Sequence, residues 1–364
     1  MLRKRRGTSN SGTQYFSKRL RFIGCWAYSH QLNSLYWPIL MLLTNLKQAV
    51  APDLNKVDKL IISNLYSEIP LVREVGNHII QGGGKRLRPL LLLLCAKACG
   101  YGDTGNDQIT MATVIEFIHT ATLLHDDVID SSMLRRGSET ANNLWGNEAA
   151  VLVGDFLYSR AFQLMVKVQD LEILKIVADA TNTIAEGEVL QLLNQHNPET
   201  SEKNYLHVVR NKTAKLFEAA AEIGAVLAGS EPYVRCTLAQ YGLHLGTAYQ
   251  LIDDLLDYQA MNFEFGKKIG KDLAEGKPTM PLIYLFRQGT TEQRALVIDA
   301  ITNPKNADLN QVQQAIVESG AMDYTYEFAR REAELAKQAI SELPESDYRT
   351  ATIELADFVI TRTT

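Results

Sequence analysis

The stretch LLHDDVID, Leu123 to Asp130, decides the fold expected of this chain. It ends an apolar segment, VIEFIHTATLL, whose hydrophobic residues recur at the three- and four-residue spacing of a buried α-helix. Such a helix is an unfavourable place for the carboxylates of Asp126, Asp127 and Asp130 unless cations lie close enough to compensate them. The stretch therefore predicts a buried helix with a charged site at its end.

The same helical spacing continues through almost the whole chain from about Leu46. Segments such as AAVLVGDFLYSRAFQLMVKV and TAKLFEAAAEIGAVLAG repeat it, and no run combines alternating polarity with the β-branched residues of a strand. Clusters rich in Gly, Pro and Asn, such as QGGGKRLRP and HNPETSEK, separate the helices. We expect an all-α protein, with one large helical domain over residues 46–364.

The first 45 residues differ in charge from the rest of the chain. The 364 residues carry a net charge of −5, which gives no general reason to expect a nucleic-acid partner. No acidic residue precedes Asp53, whereas seven Lys or Arg residues occur by Arg21. Residues 1–45 are interpreted as a basic, disordered extension: a transit peptide, a spurious extension ahead of a start at Met41, or, less favoured, a nucleic-acid arm. A start at Met41 favours a cytoplasmic protein, and a cleaved transit peptide favours the mitochondrial matrix.

A second acidic segment echoes the first. GTAYQLIDDLLD ends in the same Asp-Asp-x-x-Asp pattern as HTATLLHDDVID. Residues i and i+4 share a helix face, so Asp126 points with Asp130 and Asp253 with Asp257, while Asp127 and Asp254 are rotated by about 100° away from them. Like charges at that spacing repel unless cations lie between them, and ligands that offer only oxygen favour Mg²⁺ over Zn²⁺. The two helices are predicted to hold Mg²⁺ around a diphosphate.

Basic residues flank both acidic segments. GGGKRLRP, residues 82–89, joins glycines that permit close backbone approach to cations that bind phosphate, and it lacks the spacing of a Walker A loop. Alone it could be a flexible basic turn, but beside two acidic helices it predicts a second, metal-independent diphosphate site. The other basic residues of this kind are Arg135, Arg136, Lys212, Lys267, Lys268, Lys271 and Lys277.

These segments, together with KTAKLFEAAA and GKKIGKDLAEGKPTMPL, resemble in order and spacing those of the trans-isoprenyl diphosphate synthases. The likeness runs from about Leu46 to the C-terminus and is greatest to the bacterial octaprenyl synthases. It implies a bundle of the isoprenoid synthase type with a central active-site cavity, a homodimer, and transient membrane contact when the product leaves. Tyr249 stands where many relatives have Phe, and we expect little effect from this departure.

The resemblance also implies a reaction and a role for individual residues. An allylic diphosphate ionises with Mg²⁺ as cofactor, the double bond of isopentenyl diphosphate attacks the carbocation, and a proton is lost to the departing diphosphate. The implied metal ligands are Asp126, Asp130 and Asp253; the implied substrate-binding residues are Lys85, Arg88, His119, Arg135, Arg136 and Lys267; and the implied catalytic residues are Lys212, Thr213, Gln250 and Lys277.

His119 has two other interpretations. Glu116 and His119 form E-x-x-H, which is half of a di-iron motif, but no other histidine has a glutamate three positions before it. A buried, hydrogen-bonded structural histidine stays open as the second alternative.

The residues one helical turn before Asp126 bear on product length. Thr122 and Ala121 lie four and five positions earlier and are small, whereas relatives that make short products place bulky aromatics there. The tunnel is therefore expected to be open, with a long product of about octaprenyl length for the ubiquinone side chain. Heptaprenyl to decaprenyl products stay open, as do geranyl and geranylgeranyl diphosphates beside farnesyl diphosphate as the starter.

Two other functions share part of this pattern. A class I terpene cyclase would share the first acidic segment, but its second metal site typically resembles N-D-x-x-S-x-x-x-E, and here that site is DDLLD. A non-catalytic subunit of a heteromeric synthase generally lacks one or both acidic segments, and this chain keeps both. The sequence therefore favours a catalytic synthase.

Overall fold

The computed structural model describes residues 41–102, 105–259 and 270–362, and the regular structure in these ranges is almost entirely helical. The helices are α1 (41–49), α2 (Ala51–Asn64), α3 (Pro70–Gln81), α4 (Leu87–Ala98), α5 (Asp107–Ile129), α6 (Ala141–Trp145), α7 (Asn147–Val168), α8 (Leu171–Asn194), α9 (Glu202–Val209), α10 (Lys215–Leu227), α11 (Pro232–Gln259), α12 (Lys271–Ala274), α13 (Met280–Gln288), α14 (Thr291–Thr302), α15 (Leu309–Glu318), α16 (Ala321–Ala339) and α17 (Asp347–Thr361). A π-helical turn, Arg210–Ala214, joins α9 to α10. Two-residue strands β1 (Leu134–Arg135) and β2 (Ser138–Glu139) form a small antiparallel pair. The all-α prediction is confirmed.

The main hydrophobic core is built from α4, α5, α7, α10 and α11, where α5 packs on α7 and α10 packs on both α4 and α11. Five consecutive leucines of α4, residues 90–94, have no exposed surface, because neighbouring helices cover this helix on every side. The helix α5 is buried almost throughout its length, as its apolar sequence predicts. The carboxylates at its end therefore emerge from a tightly packed scaffold.

The C-terminal helices form a second layer against the long helix α11. Smaller clusters of buried residues join α13 to α14 and α15, and α11 to α13 and α16. The last helix, α17, returns to pack on α4, α11 and α16. This return brings the C-terminal end of the described chain to the second acidic segment.

The helical domain begins by residue 41, at least five residues before the start that the sequence predicted. Helix α1 covers residues 41–49, and Leu43 and Leu46 are both buried in the main core. Residues 41–45 therefore belong to the domain rather than to the basic extension. The predictions for residues 1–40 lie outside the described residues.

Candidate active site

A cavity of about 670 Å³ lies between the basic loop, the two acidic helices and the π-helical turn. The basic loop, residues 82–88, lines the cavity, and α5 and α11 contribute Asp126 and Asp253 to its lining. The turn Arg210–Ala214 adds Lys212 and Thr213. The structure thus brings most of the predicted site residues around one space.

Two carboxylates of the first acidic segment lie close to lysines. Asp126 Oδ2 lies 3.7 Å from Lys212 Nζ, and Asp130 Oδ1 lies 3.0 Å from Lys277 Nζ. Burial on its own would raise the pKa of Asp130, but Lys277 and Lys271 outweigh burial and lower it. Lys277 itself is buried, and its pKa is raised because Asp130 and other nearby carboxylates outweigh the effect of burial. Asp130 therefore stays ionised at neutral pH.

The middle aspartate of this segment has a different partner. Asp127, in the last turn of α5, is buried and accepts two hydrogen bonds of 2.9 Å from Arg135, from Nε and from the terminal NH2 nitrogen. This bidentate pair matches the expected rotation of Asp127 away from the other two aspartates. The Arg135 guanidinium holds the β1–β2 turn against α5 through these bonds. Arg135 also borders the cavity, so it has a structural role and is a candidate substrate ligand.

Arg362, which the sequence did not mark as a site residue, contacts the second acidic segment. The Arg362 side chain is 2% exposed, donates a 2.9 Å hydrogen bond to Asp253 Oδ1 and a second one to the Tyr249 carbonyl, and stacks 3.8 Å from the Tyr249 ring centroid. No local motif marks Arg362, because only the return of α17 brings it to α11. Arg362 is a further cation on the cavity wall.

Buried polar groups connect Asp254 to the cavity. Tyr205 donates a 2.5 Å hydrogen bond to Asp254 Oδ2, and Gln250 Nε2 donates one of 2.7 Å to Oδ1. Thr213 in turn donates 2.9 Å to Gln250 Oε1. Burial raises the pKa of Asp254 to about 7, although the bonds from Tyr205 and Gln250 oppose that rise. The four side chains form one chain of hydrogen bonds that ends at the cavity wall.

The last aspartate of the second segment caps a short helix. Asp257 accepts backbone hydrogen bonds of 2.9 and 3.0 Å from Lys271 and Asp272 at the start of α12. Asp253 and Asp257 therefore have separate partners in this structure, although they share a helix face. The predicted ligand Lys267, and Lys268 beside it, lie outside the described residues.

The basic loop supplies an arginine with a free donor. Arg88 Nε is buried without a hydrogen-bond partner among the described residues, while its terminal NH1 nitrogen lies 3.2 Å from His119 Nε2. Burial and the surrounding arginines hold the pKa of His119 well below its usual range, so this ring is neutral and accepts from Arg88. Arg136 donates to the Gly83 carbonyl, and burial and Arg362 lower the pKa of Lys85. The loop therefore presents clustered cations to the cavity.

The E-x-x-H pair of α5 is not the start of a di-iron site. Glu116 is buried and forms an ion pair with Arg86, which fixes the basic loop to α5. No group of three or more His, Cys, Asp or Glu side chains in the described ranges is arranged to hold a metal ion. Asp126, Asp130 and Asp253 instead each face a Lys or Arg, and their carboxylate oxygens are the donors that a hard divalent cation prefers.

The two small residues expected to border the product tunnel have different surroundings. Thr122 lines the cavity and donates its hydroxyl to the His119 carbonyl. Ala121 has no exposed surface and belongs to the main core instead of the cavity wall. This difference arises because Ala121 lies five positions before Asp126, so it is rotated by about 140° from that carboxylate around the helix. Of these two residues, Thr122 borders the cavity and Ala121 packs in the core behind it, and the effect of both on product length stays a prediction.

Comparison with known proteins gives a consistent set of relatives. A family model described as polyprenyl synthetase matches residues 69–319, a range that contains the site residues from Gly82 to Lys277. The octaprenyl diphosphate synthase of Haemophilus influenzae is 48% identical over 324 residues, which are 89% of this chain and 98% of that protein.

Two solved structures have a TM-score of 0.84 to this chain. One is a polyprenyl synthase from Caulobacter crescentus complexed with calcium and isoprenyl diphosphate; it is 41% identical and covers 88% of this chain and 98% of its own. The other is a decaprenyl diphosphate synthase from Rhodobacter capsulatus, 42% identical, which covers 88% of this chain and 99% of its own.

Proposed function

The chain belongs to the polyprenyl synthetase family, and we propose that it is a prenyltransferase that adds isopentenyl diphosphate to an allylic diphosphate in successive 1'-4 condensations. The observation that carries this proposal is the single cavity that joins both acidic segments, the basic loop and the Lys212–Thr213 turn. A terpene cyclase binds one diphosphate substrate and does not need a second diphosphate site. A non-catalytic subunit generally lacks one or both acidic segments. The product is a long all-trans polyprenyl diphosphate.

Octaprenyl diphosphate, the precursor of a ubiquinone side chain, is the product that we propose. The 48% identity to an octaprenyl diphosphate synthase and the small Thr122 side chain on the cavity wall support it. The Rhodobacter capsulatus relative, a decaprenyl diphosphate synthase, is 42% identical, and the product assay below distinguishes octaprenol from decaprenol. Farnesyl diphosphate is the proposed starter.

The basic loop binds the diphosphate of isopentenyl diphosphate. Arg88 offers its unpartnered Nε, and the neutral His119 ring accepts from the same guanidinium and so fixes its plane. Arg136 and Lys85 add positive charge on either side. An anionic diphosphate held by fixed guanidinium donors is bound through charge-assisted hydrogen bonds, which are stronger than hydrogen bonds between neutral groups. The five-carbon tail is then directed into the cavity.

The allylic diphosphate leaves toward the lysines that face the first acidic segment. Lys212 and Lys277 place ammonium groups beside Asp126 and Asp130, where negative charge grows as the C–O bond breaks. Preorganised cations in a site partly shielded from water stabilise that charge more than water would.

The hydrogen-bond chain through Asp254 orients oxygen atoms toward the carbocation. Because Gln250 donates to Asp254 and accepts from Thr213, the Thr213 proton is committed and its lone pairs are free to face the cavity. These oxygens stabilise the positive carbon electrostatically, without forming a covalent bond to it. The double bond of isopentenyl diphosphate then attacks, and the proton released passes to an oxygen of the departing diphosphate.

Mg²⁺ is the proposed cofactor, with Asp126, Asp130 and Asp253 as its protein ligands. Carboxylate oxygens suit Mg²⁺, which commonly shares its shell with substrate phosphates. The Caulobacter crescentus relative is complexed with calcium and isoprenyl diphosphate, which supports a divalent cation beside the substrate here. When bound, the cation neutralises charge on the departing diphosphate.

A homodimer is the proposed assembly, and helices α7 and α8 carry its candidate interface. They expose large apolar side chains, including Leu152, Val166, Val189 and Leu193, which are 59–72% exposed. Helix α7 is long and apolar enough to span a membrane by composition, but 44% of that span is buried in the fold, against α5 and its other neighbours. A second copy of the chain would cover this apolar face.

We place the enzyme in the cytoplasm, with a mitochondrial matrix location as the alternative if residues 1–40 are a transit peptide. Only transient membrane contact is needed, when the apolar product leaves. Mass spectrometry of the native N-terminus separates the two locations, because a chain that begins at Met41 supports the first and a cleaved longer precursor the second.

The test of function uses purified protein with Mg²⁺, labelled isopentenyl diphosphate and, in parallel, geranyl, farnesyl or geranylgeranyl diphosphate. Extracted products are dephosphorylated and resolved by reversed-phase chromatography. Labelled octaprenol, formed fastest from farnesyl diphosphate, is expected. A cyclic hydrocarbon, or no product with any starter, would overturn the proposal.

A further inference from the structure

Two residues of α8 hold the ammonium group of Lys212 from one side. Glu188 Oε2 and Gln191 Oε1 each lie 2.6 Å from Lys212 Nζ. They are three residues apart and so share a helix face. Asp126 Oδ2 lies further away, at 3.7 Å from the same nitrogen. An ammonium group has three donors, and two of them are committed to α8.

The sequence of α8 permits this close approach. At Gly187 an added Cβ would lie 2.7 Å from the Lys212 backbone nitrogen and 3.0 Å from the Asn211 carbonyl carbon. Any larger residue would therefore push α8 away from the π-helical turn that carries Lys212. Glu188, next in the chain, borders the cavity, whereas Glu186 on the other side of Gly187 is exposed and bonds Asn182.

We propose that Glu188 and Gln191 are positioning residues that hold the Lys212 ammonium at the cavity wall and limit its contact with Asp126 to a long ion pair of 3.7 Å. The inference rests on the proposed function and extends it to α8. Without the α8 clamp, the shortest remaining ion pair for Lys212 is Asp126 itself. That pair would neutralise a carboxylate needed for the divalent cation and withdraw a cation needed by the departing diphosphate. The bonds from Glu188 and Gln191 therefore leave the Asp126 carboxylate available to a divalent cation and the Lys212 ammonium available to the departing diphosphate.

A purely structural role makes a different prediction. If Glu188 only fastens α8 to the turn, its loss lowers thermal stability and leaves the chemistry of the folded enzyme intact. A positioning role lowers kcat in a folded enzyme and leaves KM for isopentenyl diphosphate unchanged, because Glu188 bonds Lys212, whereas Arg88 of the basic loop bonds His119. It also weakens divalent binding, which does not depend on turnover.

The experiment compares Glu188→Ala, Glu188→Gln and the control Glu186→Ala in the full chain. Steady-state kinetics are measured with farnesyl and isopentenyl diphosphates. Calorimetry then measures Mn²⁺ binding in the presence of a thio analogue of the allylic diphosphate that cannot ionise. For Glu188→Ala we expect kcat to fall about tenfold to a hundredfold and Mn²⁺ affinity to fall several-fold, at unchanged KM for isopentenyl diphosphate. Glu188→Gln keeps an acceptor oxygen in place and should stay within about threefold of wild type, since neutral acceptors are weaker but still bond.

The outcomes separate this inference from the proposed function. Glu188→Ala with the kinetics and Mn²⁺ affinity of Glu186→Ala, or with only a lower melting temperature, overturns the positioning role. An equal loss of activity in Glu188→Gln and Glu188→Ala also overturns it, because the retained acceptor should rescue. If wild-type protein makes no polyprenyl product, the proposed function fails, while the calorimetry still decides whether Glu188 protects Asp126.

Discussion

Replacing Tyr205 by phenylalanine removes one hydroxyl from the hydrogen-bond chain that ends at Thr213. The buried Asp254 carboxylate then loses the 2.5 Å bond at Oδ2 and keeps only the one from Gln250. A hydrogen bond to a charged group contributes about 1.5 to 3 kcal/mol. Since about 1.4 kcal/mol corresponds to one pH unit, the pKa of Asp254 should rise by a further one to two units, roughly, above about 7.

The pH dependence of this loss follows from the direction of that change. A carboxyl group whose folded pKa lies above its unfolded value stabilises the fold at low pH, and this contribution is lost as the pH rises through the folded pKa. At pH 5.5 Asp254 is protonated in both proteins, so Tyr205→Phe costs little. At pH 8.5 the wild-type carboxylate is ionised and bonded, and the variant should lose about 1 to 2 kcal/mol more.

The assay is thermal unfolding at both pH values in metal-free buffer, together with kcat at pH 8. Tyr241→Phe is the matched control, because Tyr241 is also buried but donates its hydroxyl, at 2.7 Å, to the neutral Thr352 carbonyl. The control should lose stability equally at both pH values and keep kcat, whereas Tyr205→Phe should lose about tenfold in kcat through misoriented Gln250 and Thr213. Equal losses of stability at pH 5.5 and 8.5, with kcat intact, would refute the reasoning.

Thr122→Phe narrows the cavity one turn below Asp126, so the product should shorten on reversed-phase chromatography; unchanged length contradicts the placement of Thr122. Arg362→Gln frees Asp253, which is half-exposed, and should tighten Mn²⁺ binding by about twofold to fivefold in paramagnetic resonance titrations, the range for a partly solvated ion pair. Weaker binding would show that Arg362 supports the metal site instead. Leu193→Asp should convert a dimer to monomers in light scattering, and a monomeric wild type would exclude the α7–α8 interface.

Local patterns were enough to predict the fold and half of the site. The helical spacing of apolar residues predicted α4, α5 and α11, because buried helices keep that spacing however they are packed. The i, i+4 geometry correctly separated Asp127 from Asp126 and Asp130, and the structure gives Asp127 to Arg135. The basic stretches around the acidic segments also predicted that Lys and Arg side chains would lie opposite the aspartates.

The rest depends on contacts between distant parts of the chain. Arg362, Tyr205 and Glu188 reach the site only through the packing of α17, α9 and α8, and no spacing within their own segments marks them. The distance of Ala121 along the helix was predictable, but its packing in the core depends on its rotation around the axis and on the helices that cover it. The predicted start of the domain, residue 46, lies after the start of α1, because residues 41–45 were grouped with the basic extension despite apolar positions such as Leu43.

The central claim is that Asp126, Asp130 and Asp253 gather divalent cations around the diphosphate of an allylic substrate. A crystal structure with Mn²⁺ and the thio analogue of farnesyl diphosphate, with metals located by anomalous scattering, tests it most directly. We predict metal peaks between the diphosphate and these three carboxylates, with Lys212 and Lys277 turned to the diphosphate oxygens. A bound analogue without metal peaks at these carboxylates, or one seated outside the cavity, would contradict the account.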